Sequence, residues 1–513
     1  MNRLRLLILL FICSVQICPV IMRAQEQPGL RPEDVIIHFD KKKGSVYQMI
    51  GRVSELSGYY FVYDSQIVDN DRVVKIIPGD YTLKELIRKI TGKINIEISF
   101  QDKYILLFLP SDKVRQDKEL VNTAPVDSFF TIAGTILDRI TGEPVIYATI
   151  NVAGTSLTTV SNKNGKFMMR LPDSLRRDTI RFSHIGYVNR QIEASLLDGR
   201  NIDFFLDQKI IPLQEIVVRV VDPITTIREM IRRRDQNNQI DPVYMTTFFR
   251  EGIEDRRGMN LTEAVLKIYK TGIFSSINTE QVKVLKMRHL ISPGNNDSLV
   301  TRLKSSINSC QMLDLIKNLP DFMDIFNQDY YAFSHTDITV LDNRRVYVFS
   351  FEPREGITDP LFLGKLYVDA ENYALLKATF EINPEYVEKS ANVLIIRQSR
   401  NIKTVPLSAK YDVSYLLLNG RYYLNHVRAD LDLRIKKKRK LFSSNTHVWF
   451  EMVNCQIDTV NVKRFPNFEK ISTKDFLSEV AYVYDENFWG NFNAILPEET
   501  LKELIRKYNL GKN

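Results

Sequence analysis

The chain has 513 residues, 44% of them hydrophobic and 26% charged, ordinary values for packed globular material that exclude wholesale disorder. At roughly 100–200 residues per domain there is room for about three domains. The net charge is +8, a surplus that permits contact with an anionic surface but, spread over so long a chain, demands none.

The opening "MNRLRLLILLFICSVQICPVIMRAQEQPG" has Arg3 and Arg5 ahead of an apolar run, Leu6 to Ile12, with the small residue Ala24 after it. This is the pattern of a signal peptide over residues 1–24. The apolar run falls short of the roughly 20 residues that span a bilayer. Lipid attachment requires a small residue before the modified cysteine, and Ile12 and Ile17 precede Cys13 and Cys18, so a lipoprotein is not expected. The expectation is export to a periplasm, peripheral to an outer membrane, which makes nucleic acid an unexpected partner. It leaves Cys310 and Cys455 as candidates for one disulfide.

Residues 33–110 alternate short strands and helices. "DVIIHF" reads as a strand, and "SVYQMIGRVSELSG" puts Val46, Ile50, Val53 and Leu56 at helical spacing. After the strands "YYFVYD" and "DRVVKII", "TLKELIRKITG" repeats the helical pattern, with Thr82 as N-cap and Gly92 as stop. "INIEISF" and "YILLFL" close the block as a hairpin over "QDK", giving the order βαββαββ. The pairing of "LSGYYFVYD" with "YTLKELIRKITG" resembles the short N-terminal domain of secretins and TonB-dependent receptors. That resemblance implies contact with other envelope proteins, such as TonB-system components or membrane-bound sigma-factor regulators; a domain with a purely local packing role is the other reading. Residues 111–128 are polar and aperiodic, a linker.

From 129 to 217 the strands "FFTIAGTILD", "YATINVAG", "LTTVSN", "KFMMRL", "TIRFSHIG" and "IDFFLD" recur between Gly, Pro and Asn turns, predicting an Ig-like sandwich of antiparallel sheets. Asn164-Gly165 suits a type I′ hairpin. The run "GTILDRITGEPVIYATINVAGT", then "NKNGKF" and "FSHIGY", resembles the carboxypeptidase-regulatory-like domain. The resemblance implies an accessory fold carrying none of the zinc ligands of the enzymes it accompanies. Ser161, Asn162 and Asn164 stand where an acidic residue would suggest calcium. "LQEIVVR" after the sandwich is similar to the segment that follows this domain in TonB-dependent receptors.

A zinc carboxypeptidase site needs HxxE and a distant His. None of the six histidines, His38, His184, His289, His335, His426 and His447, has Glu three residues on. "HVWFE" places His447 and Glu451 on one strand face, a polar contact rather than a metal site, and His184 reads as structural. HExxH, GxSxG, GxxxxGK[ST] and GxGxxG are absent. No catalytic, cofactor-binding or metal residue is assigned, no cofactor is expected, and a hydrolase is the remote alternative.

Residues 220–513 open on the amphipathic helix "DPITTIREMIRRRDQNN", with Ile224, Ile227 and Ile231 on one side. Long alternating strands follow: "VYMTTFFRE", "EAVLKIYKTGIF", "RRVYVFSFEP", "GKLYVDAENYALLKATFEI", "LSAKYDVSYLLLNGRYYLNHVRADLDLRI" and "HVWFEMV". "DAENY" and "LNGRYY" read as tight turns, 309–326 as helical, and "PEETLKELIRKYNL" as a closing helix. A meander of this kind predicts a large antiparallel curved sheet or half-barrel with helices, so the fold class is multidomain and mainly β with α+β parts. The "GKLYVDAENYALLKATFEIN" hairpin and the strand pair after it resemble the lipoprotein-carrier (LolA-like) architecture. "FFREGI" is similar to exported proteins that join such a sandwich to a domain of unknown function. The run "RIKKKRKLF" reads as a hairpin tip, and Arg434, Lys436, Lys437, Lys438, Arg439 and Lys440 are candidates for contact with an anionic membrane surface or a solvated strand end. The expected function is non-catalytic binding of envelope proteins or the outer membrane. Carriage of a lipid or lipidated ligand and signalling to a sigma-factor regulator are its alternatives.

Overall fold

The computed structural model describes residues 35–63, 68–69, 72–92, 96–101, 104–108, 128–209, 221–256, 258–291, 301–303, 306–398, 402–437, 443–472, 493 and 495–497. The chain divides into two compact units, 1–119 and 120–513. The segment expected as a signal peptide, almost all of the expected linker, "LQEIVVR" and most of the stretch expected as a closing helix fall outside the described residues. So do Lys438, Arg439 and Lys440.

In the first unit the strands are β1 (Ile36–Phe39), β2 (Lys43–Ser45), β3 (Tyr60–Tyr63), β4 (Val73–Lys75), β5 (Gly79–Thr82), β6 (Glu97–Gln101) and β7 (Tyr104–Phe108). Helix α1 (Val46–Ser57) precedes β3 and α2 (Leu83–Thr91) follows β5. β1 pairs with β5, β2 with β4, and β7 runs parallel to β3 and antiparallel to β6. The predicted helices form, with two short extra strands, β2 and β5, ahead of them. Both helices are capped as their sequences demand. Ser45 and Gln48 make a reciprocal capping box, Thr82 accepts from the Glu85 amide, and Gly58 and Gly92 close the C-termini at positive φ. The buried stripe of α1 is Val46, Met49, Ile50 and Val53, while Leu56 is 38% exposed. The expected face is the buried one, with Met49 added to it; Leu56, in the last turn of the helix, is the one expected residue left outside.

The second unit begins with the sandwich, built from β8 (Phe129–Asp138), β9 (Thr149–Val152), β10 (Thr158–Val160), β11 (Lys166–Pro172), β12 (Thr179–Ser183), β13 (Arg190–Glu193) and β14 (Asn201–Leu206). One sheet runs β10-β9-β12-β13; in the other β8 lies between β11 and β14. Phe182 stacks on Phe204 at 4.1 Å and meets Phe167 edge-on at 5.4 Å between them. The Asn164-Gly165 turn departs from expectation. Only Gly165 has positive φ (71°), and the strands on either side, β10 and β11, belong to different sheets. It is therefore a crossover corner and not a type I′ hairpin. A Cβ on Gly165 would stand 2.5 Å from the Ile136 carbonyl oxygen, so glycine is required there twice over.

Helices α3 (Pro223–Arg232) and α4 (Arg234–Asn237) lead to β15 (Val243–Asp255), β16 (Gly258–Lys270) and β17 (Gln281–Ile291). Asp222 caps α3, whose buried residues are Thr226, Ile227 and Met230; of the expected stripe only Ile227 is fully buried. Next come β18 (Thr301–Leu303), α5 (Ser306–Met312), β19 (Tyr331–Leu341), β20 (Arg344–Pro353), β21 (Phe362–Asp369), β22 (Leu375–Ile382), α6 (Ala391–Leu394) and β23 (Ile395–Gln398). The chain then runs through β24 (Ile402–Leu418), β25 (Arg421–Lys437) and β26 (Ser443–Asp458). Ten of these strands make one open antiparallel sheet in the order β17-β16-β15-β26-β25-β24-β22-β21-β20-β19. The predicted meander is thus present, and β17 and β19 extend it at both edges.

One face of this sheet carries the largest apolar cluster, which also takes in Ile227 and Met230 from α3 and Ile307 and Cys310 from α5. The stretch expected as a helix over 309–326 is instead a short helix ending at Met312, followed by turns. Its turns place Phe322 against Phe351 at 4.2 Å and Phe380 at 5.3 Å. The sandwich lies against the opposite face. Cys310 belongs to the large cluster and Cys455 to a separate one with Phe248, Val453 and Ile495. Both are buried free thiols, so the disulfide considered above is not formed. Burial pushes the Cys455 thiol up to about 12.

Candidate functional site: the buried face between sandwich and sheet

The face of the large sheet beneath the sandwich is a row of charges in cross-strand register. Asp412 on β24 pairs with Arg428 on β25, Arg428 with Glu451 on β26, and Glu451 with Arg250 on β15. Arg250 in turn opposes Glu263 on β16, and Glu263 opposes Arg288 on β17. The signs alternate across six neighbouring strands, and Lys377 on β22 extends the row by a 2.8 Å contact with Asp412. Strand alternation explains the placement: Phe249 and Met452 turn to the apolar cluster, so Arg250 and Glu451 turn the other way.

The row is buried. Arg250 and Glu451 are each 2% exposed and Glu263 0%. Arg250 donates to Glu263 at 2.7 Å and to the Ile495 carbonyl oxygen at 2.7 Å, and Arg288 donates to the other Glu263 oxygen at 2.6 Å. His426 bonds Glu451 at 3.0 Å, and Arg428 binds Asp430 through two bonds of 2.9 Å while stacking over Trp449. Burial alone would raise the Glu451 carboxyl, yet the bond from His426 and the charge of Arg428 hold it down at about 2. Burial opposes and Lys377 overrides at Asp412, also near 2. Burial would lower His426, but its Asp412 and Glu451 neighbours raise it. Every charge in the row has an opposite neighbour, the condition on which buried ions are tolerated.

The sandwich closes over this row with specific contacts. Lys163 reaches Asp430 at 3.2 Å, Asn162 donates to the Leu496 carbonyl oxygen at 3.0 Å, and Asn425 donates to Thr149 at 3.2 Å. Asn189 donates to Asp342 at 2.6 Å, and the Gly186 amide to the Val340 carbonyl oxygen at 2.8 Å. The Tyr147 ring lies 4.5 Å from the His426 ring. Residues 132–218 match the CarboxypepD_reg-like domain. Within this regulatory-like domain, "NKNG" is thus the corner that touches β25 and the 495–497 segment, and "FSHIGY" the one that touches β19. His184 is hydrogen-bonded to the Ile185 carbonyl oxygen at 2.8 Å; burial and the charge of Lys377 lower it to about 4, so it is a neutral packing residue. Ser161 spends its hydroxyl on Val145 and Ala148. No cluster of three or more metal-ligating side chains occurs among the described residues.

No curated protein matches the chain. Among solved structures it is similar to a DUF1329 family protein from Desulfovibrio piger, at 10% identity over 47% of this chain and 96% of that one, with a TM-score of 0.22. It is similar also to a LolA superfamily protein from Nitrosomonas europaea, at 11% identity over 48% and 96%, TM-score 0.18. The third is lipovitellin, at 10% identity over 44% and 26%, TM-score 0.21. Likenesses of this size carry no argument.

His447 and Glu451 do share a strand face, but they serve different neighbours: His447 contacts Asp430 and Asp432 at 3.2 and 2.9 Å. Arg434 and Lys436 of the cationic run lie near the end of β25, where Lys436 pairs with Ser443 of β26. Arg434 and Lys436 are exposed there; the Lys437 side chain lies outside what is described. Residues that sequence reasoning passed over are Tyr147, Arg250, Glu263, Asp412 and Arg428. For the four charged residues the signal was a charge set inside an otherwise apolar strand, as in "FFREGI"; Tyr147 had none.

A second buried charge set lies at the edge of the apolar cluster. Lys270 contacts Asp314 at 2.7 Å and Glu280 at 3.4 Å, and Lys317 reaches Glu280 at 2.5 Å. Gln311 and Tyr415 complete it through Glu280 and Asp314. Two cations and two anions cancel, and the set pins the 309–318 segment to the sheet.

Proposed function

We propose that the chain is an exported, non-catalytic binding protein of the cell envelope, in which the regulatory-like sandwich and the large sheet act as one body. The observation that carries this reading is that both faces of the ten-stranded sheet are occupied by the chain itself. Segments 223–237 and 306–330 fill one face, and the sandwich covers the other. A carrier of lipid or a lipidated chain needs an open apolar chamber, and Phe322 and Met323, both 0% exposed, occupy the place where cargo would lie. Binding through outer surfaces is then the economical reading. No described helix is long and apolar enough to cross a membrane.

The unit before residue 120 would supply contact with other envelope proteins, a TonB-system component or a membrane sigma-factor regulator, in keeping with its resemblance to secretin and TonB short domains. Arg434 and Lys436 at the end of β25, with the cations Lys437 to Lys440 that follow them in the sequence, would lie against an anionic leaflet, at about 1 kcal/mol per cation near the surface. The test is cross-linked capture from envelope fractions with the full chain and with a deletion of residues 33–110. A partner lost on deletion supports the reading; a lipid adduct released only on denaturation in native mass spectrometry replaces it with carriage.

A further inference from the structure

Where the sandwich meets β24, a cavity of about 60 Å³ remains, room for about four waters. Its lining includes the polar Tyr147, Ser183, Ser414 and Tyr422, the charged Lys377 and Asp412, and the apolar Leu416 and Leu417. The charges around it cancel in pairs: Lys377 with Asp412 at 2.8 Å, Arg344 with Asp369 at 2.8 Å, and Arg181 with Asp342. Neither an anion nor a cation is favoured by such a lining.

Two of its groups are left unspent. The Tyr147 hydroxyl and Oδ1 of Asp412 are buried without a hydrogen-bond partner among the described residues. The nearest imidazole nitrogen, Nδ1 of His426, stands 3.8 Å from Oδ1, beyond hydrogen-bond reach. Leaving such groups unmade costs about 1–3 kcal/mol each. Tyr147 is also held at φ 57°, a left-handed conformation that is a strained outlier for a bulky side chain and that marks functional positions when the surroundings enforce it. Here the Ser161 carbonyl, accepting from the Tyr147 amide at 3.1 Å, and the His426 ring enforce it.

We propose that this cavity binds the hydroxyl-bearing edge of a small neutral polyhydroxyl ligand, a sugar or polyol, with Tyr147 and Asp412 as its hydrogen-bonding partners. Hydroxyls donate to a carboxylate and exchange bonds with a phenol, and Leu416 and Leu417 in the lining offer apolar surface to the C–H groups of a sugar ring. An apolar ligand would leave both groups unpaired. This inference is independent of the protein-binding reading above and survives its failure.

Calorimetric titration of the full chain with glycerol, a neutral hexose, a neutral oligosaccharide, a uronic acid and butanol tests it. The hexose or the oligosaccharide is expected to bind at millimolar concentration or below, and the uronic acid and butanol not. A clear preference for the oligosaccharide identifies a glycan end as the source; equal affinity identifies a free sugar. Tyr147→Phe, which keeps the ring on His426, is expected to weaken binding roughly fivefold to tenfold, the worth of one hydrogen bond. Leu417→Trp, at the 40% exposed edge of the lining, is expected to abolish it with the melting temperature preserved. Absence of binding by every polyol, or binding unchanged in both variants, overturns the proposal. Should either variant misfold, hydrogen exchange of the unaltered protein decides: sugar-dependent protection at 147–149 and 412–416 sustains the site, and protection elsewhere or none refutes it.

Discussion

Arg250, Glu263 and Glu451 look like solvent-side residues of an alternating strand, and each is instead buried, Arg250 against the Ile495 carbonyl. Removing one partner of such a set strands the other as a buried, uncompensated charge. Arg250→Met is expected to cost about 3–5 kcal/mol in urea unfolding, and Arg250→Met with Glu263→Leu less than the sum of the two. The pH dependence has a definite sign. Glu451 titrates near 2 in the folded chain, below its ordinary value of about 4.3. Its contribution is therefore present above that value and lost as pH falls toward 2. His184 is lowered to about 4, so its contribution is held above about 6.5 and lost on the way down to 4. The urea midpoint should fall in two stages on acidification, and His184→Gln should flatten the upper one. A midpoint indifferent to pH between 7 and 4 would contradict this (pH values spanning the roughly 6.5-to-4 window).

At the level of elements, local chemistry does what it says where no other element interferes. Thr82 and Gly92 bound α2 as expected, and Thr82→Ala should lower the stability of the first unit by about 1 kcal/mol. The two-residue turns with both residues at positive φ are Asp342-Asn343 and Asn419-Gly420, joining β19 to β20 and β24 to β25. Gly420→Ala should cost about 1 kcal/mol, more than the same change at an unstrained site. Asn164-Gly165 carries the same dipeptide signal and forms a corner, because its flanking strands pair elsewhere. The 309–326 stretch shows the converse: apolar spacing suggested one helix, while aromatic packing of Phe322 on three strands imposed turns.

For the whole molecule, the charge row and the contacts above it lead to the expectation that sandwich and sheet unfold together. Phe182→Ala, deep in the sandwich and 0% exposed, should cost about 3–5 kcal/mol. It should also deprotect β25 and β26 in hydrogen exchange, although no atom of those strands is altered. Protection of β25 and β26 unchanged while the sandwich opens would show two independent bodies. Deleting 129–209 outright should destabilise the remaining sheet, because Val160 no longer covers Phe248, Val453 and Ile495.

The sequence by itself determined the elements whose causes are local: the helix caps, the sandwich strands from "FFTIAGTILD" to "IDFFLD", and the long meander after residue 240. It also determined the absence of a zinc ligand spacing, because that is a matter of counting. Tertiary structure alone decided that Arg428 of "RADLDL" and Arg250 of "FFREGI" stand on either side of Glu451. The register of six strands joins residues far apart in the chain, and only cover by a second domain turns a solvated face into a buried one. Tyr147 became visible for the same reason. Nothing in "VIYATI" announces a residue held at positive φ over a histidine nearly 280 positions later (426 − 147 = 279); the ring is placed there by two domains closing on each other.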